Sequence, residues 1–234
     1  MDKGVFLNQI YDELFSCYGR QGWWPVTRKG MYPAYDGGPV NDRQAFEVII
    51  GAILTQNTSW KNVEKAIVNL NRKKLIDPEK LIKLNKEKLA ELIRPSGYYN
   101  QKAEKLKTAA RFFSENKICS FRKKSTDEMR RQLLGLNGVG NETADSILLY
   151  AFNKPIFIID AYTKRIFSRL GFCSEDAAYH ELQELLMSAL PEDSRLFNEY
   201  HALLVEHAKR HCRKKPECSD CVLKKMCNYG RGLP

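Results

Sequence analysis

Apolar residues recur at helical spacing along almost the whole chain, and no segment shows the two-residue alternation of a half-buried strand. Residues 4–19 place Phe6, Ile10, Leu14 and Phe15 on one face. Residues 41–55 form a strongly apolar helix with Phe46, Ile49, Ile50, Ile53 and Leu54. Further helices are predicted at 59–72, as a short Lys-rich pair over 78–94, after the turn at 94–103 to about Phe113, and at 126–134. After Gly138-Val139-Gly140 the spacing of Ile147, Leu148 and Ala151 predicts another, ended by Asn153-Lys154-Pro155. The run Ile156-Phe157-Ile158-Ile159 reads as buried, Asp160 opens a basic helix, and two more follow near 175–189 and 194–211. The chain is therefore predicted to be all-α, with no internal repeat, no low-complexity segment and no linker between independent halves. No apolar run reaches the length of a membrane span.

Leu136 to Asp160 organises this pattern. Its glycines allow a tight turn between two helices and bring backbone N–H groups close to a partner. Asn141 is a good N-cap residue, and the start of the helix behind it presents amides and a positive dipole end suited to a phosphate. Asp160 has two readings here, a helix N-cap or a reactive carboxylate.

Composition sharpens the choice of partner. The chain of 234 residues carries a net charge of +10 with a pI near 9.2, which points to a polyanion, most simply nucleic acid. No signal-peptide pattern opens the sequence, so a soluble cytoplasmic protein is expected; a monomer, associated with the nucleoid, is expected as well. Of 7 cysteines, Cys212, Cys218, Cys221 and Cys227 crowd the end of the chain, separated by five, two and five residues. Such crowding in a reducing compartment suggests metal or cluster ligation over disulfides. One Cys-x-x-Cys is compatible with zinc or with iron–sulfur chemistry. Cys17, Cys119 and Cys173 read as small buried hydrophobes.

Several other positions carry two readings each. Trp23 and Trp24, adjacent in a loop, either cap the core or offer a surface on which a base stacks. Phe46 is a core residue by default, or faces a base pocket. Gln56, in Leu54-Thr55-Gln56-Asn57-Thr58, is a polar turn residue or an amide able both to donate to and accept from a base. The Lys run from 73 to 88 has the usual meaning of a solvated face. Arg94-Pro95-Ser96-Gly97-Tyr98-Tyr99-Asn100-Gln101-Lys102-Ala103 marks a turn opening a helix.

Leu-x-Gly-Val-Gly-x-x-Thr-Ala, with Asp160 twenty residues after Gly140, resembles the helix-hairpin-helix and catalytic Asp of the endonuclease III family of DNA glycosylases. The resemblance implies a two-lobed all-α fold: a helical barrel over 41–154, and a second lobe made from 1–40 plus 155–234. It implies double-stranded damaged DNA as partner, Gly138, Gly140 and Asn141 on the phosphates, Gln56 entering the duplex and Tyr98 wedging opposite the flipped base. The cysteine loop is similar to the family's C-terminal [4Fe-4S] loop, although its first interval is one residue shorter. A cluster there would hold Lys214 and Lys215 against phosphates, and Lys164 lies on the basic helix that Asp160 opens. Family members that cut the strand have Lys two positions after the last hairpin Gly, where this chain has Glu142; a carboxylate cannot form a Schiff base. Trp-Trp-Pro, Phe46, the Arg-Pro-Ser-Gly-Tyr-Tyr-Asn turn and Glu142 together resemble the 3-methyladenine glycosylase branch. That implies a monofunctional enzyme releasing an alkylated purine, with Trp23, Trp24 and Phe46 at the base and Glu142 facing the site. Glu142 also reads as an acidic residue in a helix's first turn, where the dipole favours it. The alternatives are a related glycosylase for oxidised, deaminated or mismatched bases, and a DNA-binding protein without catalysis.

Overall fold

The computed structural model describes residues 2–232, and among these the only strand-like pairing is an isolated antiparallel bridge between Val26 and Ala34. Helix α1 is Lys3–Tyr18, capped by the Asp2 carboxylate. Then come α2 (Asp42–Leu54), α3 (Trp60–Arg72), α4 (Pro78–Lys83), α5 (Lys86–Leu92), α6 (Tyr99–Glu115), α7 (Ile118–Phe121), α8 (Thr126–Leu134) and α9 (Asn141–Ser146). A π-helical turn, Ile147–Ala151, extends α9. The chain continues with α10 (Ala161–Leu170), α11 (Tyr179–Ala189), α12 (Ser194–Arg210) and α13 (Asn228–Arg231). The short α7 and α13 were not expected, because four residues give too few turns for a period to show.

Two compact units result: Met1–Gln21 with Pro155–Pro234, and Gly22–Lys154. The expected boundary at residue 41 thus lies near 22, and the physical reason is a buried polar network. Glu47 of α2 accepts from the backbone N–H and the hydroxyl of Thr27, both at 2.8 Å. Asn71 of α3 donates to the Thr27 hydroxyl at 2.8 Å and to the Met31 carbonyl at 3.1 Å. Burial pushes the Glu47 carboxyl upward, while Thr27 and Arg43 act to lower it. These bonds pin residues 22–40 to α2 and α3 instead of to the N-terminal helix.

In the Gly22–Lys154 unit α2 is the central rod, with every residue from Gln44 to Leu54 buried. Helices α3, α6, α7 and α9 and the π-helical turn pack against it, and Lys107 of α6 donates to the Ile82 carbonyl of α4 and to the Leu84 carbonyl just beyond it. In the other unit α12 packs against α1 and α10, with Tyr200 fully buried and its hydroxyl donating to the Leu7 carbonyl at 2.9 Å. The run Ile156–Ile159 is buried as expected, at 4% exposure or less.

An ion pair whose carboxylate is buried joins α8 to α9. Arg130 donates from Nε and Nη2 to the two oxygens of Asp145, at 2.7 and 3.2 Å, and Asp145 is 0% exposed. Removing one partner strands the other charge in a low dielectric. Arg130→Ala is therefore expected to lower unfolding stability by about 3 kcal/mol, read as a shift of the urea midpoint at unchanged slope.

Candidate active site

The hairpin is built as its glycines require. Gly138 has φ +83, a left-handed value, and a Cβ there would fall 2.5 Å from Cε of Lys105. The N-cap of α9 is Gly140, not Asn141; the Asn141 side chain instead accepts from Arg130 at 3.1 Å. Gly140 offers no side chain to cap this helix start. Glu142 lies exposed in the first turn of α9.

Gln56, just past α2, is drawn to this hairpin. Its amide nitrogen donates to the Gly138 carbonyl at 3.0 Å and to the Thr143 hydroxyl at 2.9 Å, and its oxygen accepts from Lys105 at 2.6 Å. Both ends of the amide are engaged, so Gln56 braces the hairpin in the free protein. Nearby, Lys102 is 2% exposed and donates to the carbonyls of Leu54 and Ser96, at 2.8 and 2.7 Å. It joins the end of α2 to the turn carrying Tyr98. Tyr98 adopts φ 46, ψ 32 and is 66% exposed, so its ring stands in solvent.

The aromatic candidates part company. Trp23 and Trp24 belong to one cluster: Trp23 meets Trp24, Trp60 and Tyr35 at 5.1, 5.0 and 6.0 Å between ring centroids. Trp24 also meets Trp60 at 5.3 Å and Tyr150 at 5.2 Å. Gly51 makes room for this, since a Cβ there would lie 2.8 Å from the Trp24 ring. Trp24 is 4% exposed and Trp23 half-buried, so Trp23 offers the accessible surface. Trp60 and Tyr35 were missed by sequence reasoning, for Trp60 lies on helix α3 and the loop that carries Tyr35 has no periodicity to place it beside the Trp pair. Phe46 is not in this cluster. It is 1% exposed, packs edge-on to Phe113 at 6.4 Å, and lines a separate cavity with Arg43, Asn71 and Ile76. Ten residues of chain, most of them helical, separate it from Gln56 at the opposite end of α2, about 15 Å at helical rise; Phe46 is a core residue.

In the other unit Asp160 is the N-cap of α10, its Oδ1 accepting the Thr163 N–H at 2.7 Å. Its side chain is 14% exposed, and Oδ2 lies 3.7 Å from Nε2 of His201 on α12. Burial acts to raise the Asp160 carboxyl, but His201 and Thr163 outweigh it and hold the group below the usual carboxylate value. Asp160 is thus ionised at neutral pH, and the cap reading is true of it alongside any chemistry.

The basic helix α10 is partly spent on the cysteine loop. Arg165 donates to the Cys212 carbonyl at 2.8 Å, and Arg169 to the Cys212 sulfur at 3.3 Å and the Arg213 and Lys214 carbonyls at 2.7 and 3.0 Å. Lys164 is half-buried, whereas Lys214 and Lys215 are exposed. Cys212, Cys218, Cys221 and Cys227 line one cavity, floored by Ile166, Leu170 and Leu223. The Cys221 thiol is pushed up to about 11 by burial, with the other three thiols adding to the effect. Among the described residues no three His, Cys, Asp or Glu side chains gather as for a single metal ion. Four thiols spread around one apolar cavity are compatible with a cluster whose ligands sit on separate iron corners. Cys17 and Cys119 are exposed and Cys173 half-buried, contrary to expectation: they face outward from their segments. His207 is packed, with Nδ1 2.9 Å from the Tyr18 hydroxyl and Nε2 3.6 Å from the Cys221 sulfur.

An all-α chain with a glycine hairpin between paired helices, an ionised carboxylate capping the next helix but one, and a four-cysteine loop defines a helix-hairpin-helix protein. Residues 50–192 match the model of the HhH-GPD superfamily base excision DNA repair proteins. A protein of Methanocaldococcus jannaschii that carries the name of a DNA repair glycosylase is 46% identical over 97% of both chains. Endonuclease III of Thermotoga maritima is 35% identical over 80% of this chain and 84% of its own. The crystal structure of the H. pylori 3-methyladenine DNA glycosylase bound to 1,N6-ethenoadenine superposes with a TM-score of 0.71 at 27% identity, covering 90% of this chain and 98% of that one. The chain belongs to the HhH-GPD superfamily, within the endonuclease III superfamily of DNA glycosylases.

One consequence of the buried lysine is measurable. Burial, aided by Lys105, pushes the Lys102 ammonium down to about 8, against about 10.4 in an unfolded chain. Between these values the unfolded state holds the extra proton, so stability rises with pH. Wild type should gain stability from pH 8 to 9.5 relative to Lys102→Met, which lacks this titration, in denaturant melts run across that window.

Proposed function

We propose that this DNA glycosylase acts on damaged duplex DNA as a monofunctional enzyme, hydrolysing the N-glycosyl bond of an alkylated purine such as 3-methyladenine. The observation that carries the reading is Asp160, a nearly buried carboxylate held ionised at the position where the family places its catalytic Asp. An ionised carboxylate stabilises the positive charge that develops on the sugar as the base departs, and orients the attacking water. A base that already carries a positive charge leaves without a strong general acid. The cluster of Trp23, Trp24, Trp60 and Tyr35 supports that choice, since electron-rich rings attract a cationic base by stacking and cation–π interaction. Hydrolysis without strand cleavage follows from Glu142, which stands where lyases of this family carry the Schiff-base Lys. The uncapped start of α9, with Gly138 and Gly140, suits a backbone phosphate; Tyr98 suits a wedge in the duplex, and Lys164, Lys214 and Lys215 add phosphate contacts.

Cys212, Cys218, Cys221 and Cys227 would hold a [4Fe-4S] cluster, whose contribution when bound is structural, fixing the loop that carries Lys214 and Lys215. Arg165 and Arg169 hold the same loop through its backbone, so the chain's own contacts already shape it. A second reading, an endonuclease III-like glycosylase for oxidised, deaminated or mismatched bases, is favoured by the 35% identity to the T. maritima endonuclease III.

Duplex DNA methylated by an alkylating agent separates these readings. Release of 3-methyladenine with the strand left intact is the expected result; release only of an oxidised or deaminated base, or β-elimination at the abasic site, supports the second. Asp160→Asn should abolish release while DNA binding persists, and undiminished release by that variant would sink the mechanism. Purified protein should be yellow-brown with broad absorption at about 400 nm, and a colourless protein with one zinc per chain would refute the cluster.

A further inference from the structure

We propose that His201 is a positioning residue for the reaction: from α12 it holds the second oxygen of the Asp160 carboxylate in the orientation that faces the sugar. The inference rests on the reading of Asp160 as the catalytic carboxylate, and it assigns a task to a histidine that no motif in the sequence marks.

The geometry divides the carboxylate into two jobs. Oδ1 takes the Thr163 N–H at 2.7 Å, which is all that a helix cap requires. A carboxylate that only capped α10 would leave Oδ2 to water. Here the side chain is 14% exposed and Oδ2 lies 3.7 Å from Nε2 of His201, a ring 10% exposed. That histidine is out of place on its own helix, flanked by the buried Phe197, Tyr200, Leu203 and Leu204. Placing an imidazole among them costs desolvation, and its nitrogen is turned to the carboxylate.

One hydrogen bond leaves a carboxylate free to swing about its Cβ–Cγ bond. A second contact from a different element fixes the plane. The two holders are independent: Thr163 is on α10, the helix that Asp160 caps, and His201 comes from α12, packed across it. At 3.7 Å the contact has ion-pair length, longer than a hydrogen bond. Catalytic hydrogen bonds are often long in free enzymes and tighten when substrate binds. The role requires a hydrogen on Nε2. Once the carboxylate is displaced by a fraction of an ångström, the stabilised position of the sugar charge is lost although DNA still binds.

The test uses the full-length protein, methylated duplex DNA, single-turnover base release, and DNA affinity on the same duplex. His201→Leu should slow release by about 10- to 100-fold, with affinity unchanged within about twofold. His201→Gln, which keeps an N–H donor at similar reach, should recover most of that loss. Adding His201→Leu to Asp160→Asn should cost nothing more, since the two residues act as one unit. A folded His201→Leu with wild-type release overturns the proposal, as does an equal defect in the Leu and Gln variants. If the Leu variant does not fold, His201→Asn decides: its shorter amide falls short of Asp160, so a wild-type rate overturns the proposal and a slowed rate supports it. Undiminished release by Asp160→Asn overturns the parent reading instead. Ring ¹⁵N NMR gives a readout that needs no substrate: Nε2 should carry hydrogen and its shift should move in Asp160→Asn, whereas a bare Nε2 overturns the proposal whatever lesion the enzyme prefers.

Discussion

From Gln44 onward helix α2 has no face left for water. Every residue from Gln44 to Leu54 is buried, so the polar groups at both its ends must find partners inside the protein. An unmet buried donor or acceptor costs about 1–3 kcal/mol, and the unit is arranged around avoiding that cost. At one end Glu47, Arg43 and Asn71 take up the backbone of the loop at Thr27 and Met31. At the other, Lys102 caps the Leu54 carbonyl and Gln56 reaches the hairpin. The consequence is functional. The aromatic loop, the Tyr98 turn and the hairpin are all tied to one rigid rod, and the groups proposed to meet DNA inherit its precision.

The second unit uses the same economy with charge. Asp160 caps α10, and the same cap holds in place the carboxylate proposed to act on the sugar; the two are one group with two lone-pair faces. Arg165 and Arg169 contribute to the basic character of α10, yet they are occupied with carbonyls of the cysteine loop. A net charge of +10 therefore overstates the charge free to face DNA. What remains outward, such as Lys214 and Lys215, is borne by a loop that the inward arginines hold in shape.

What could be read in the chain alone was what depends on neighbours in sequence. Helix period, glycine hairpin, Asp spacing and cysteine intervals are local quantities, and helices α1 to α12 fall near their expected bounds apart from the brief α7. Where several residues had to come together from afar, one residue type was not enough. Phe46 and Trp24 were both candidates for a base pocket, and packing sent one to Phe113 and the other to an aromatic cluster. The segment 22–40 has no periodicity of its own, so its unit was decided by Glu47 and Asn71, buried polar residues whose partners no spacing reveals. His201 and Asp160 sit 41 residues apart with no motif between them. The sequence by itself determined the helices, the hairpin and the carboxylate, because backbone propensity and turn chemistry act over a few residues. Only the tertiary structure decided which side chains share a site, because burial and hydrogen bonding act between segments that the order of residues keeps apart.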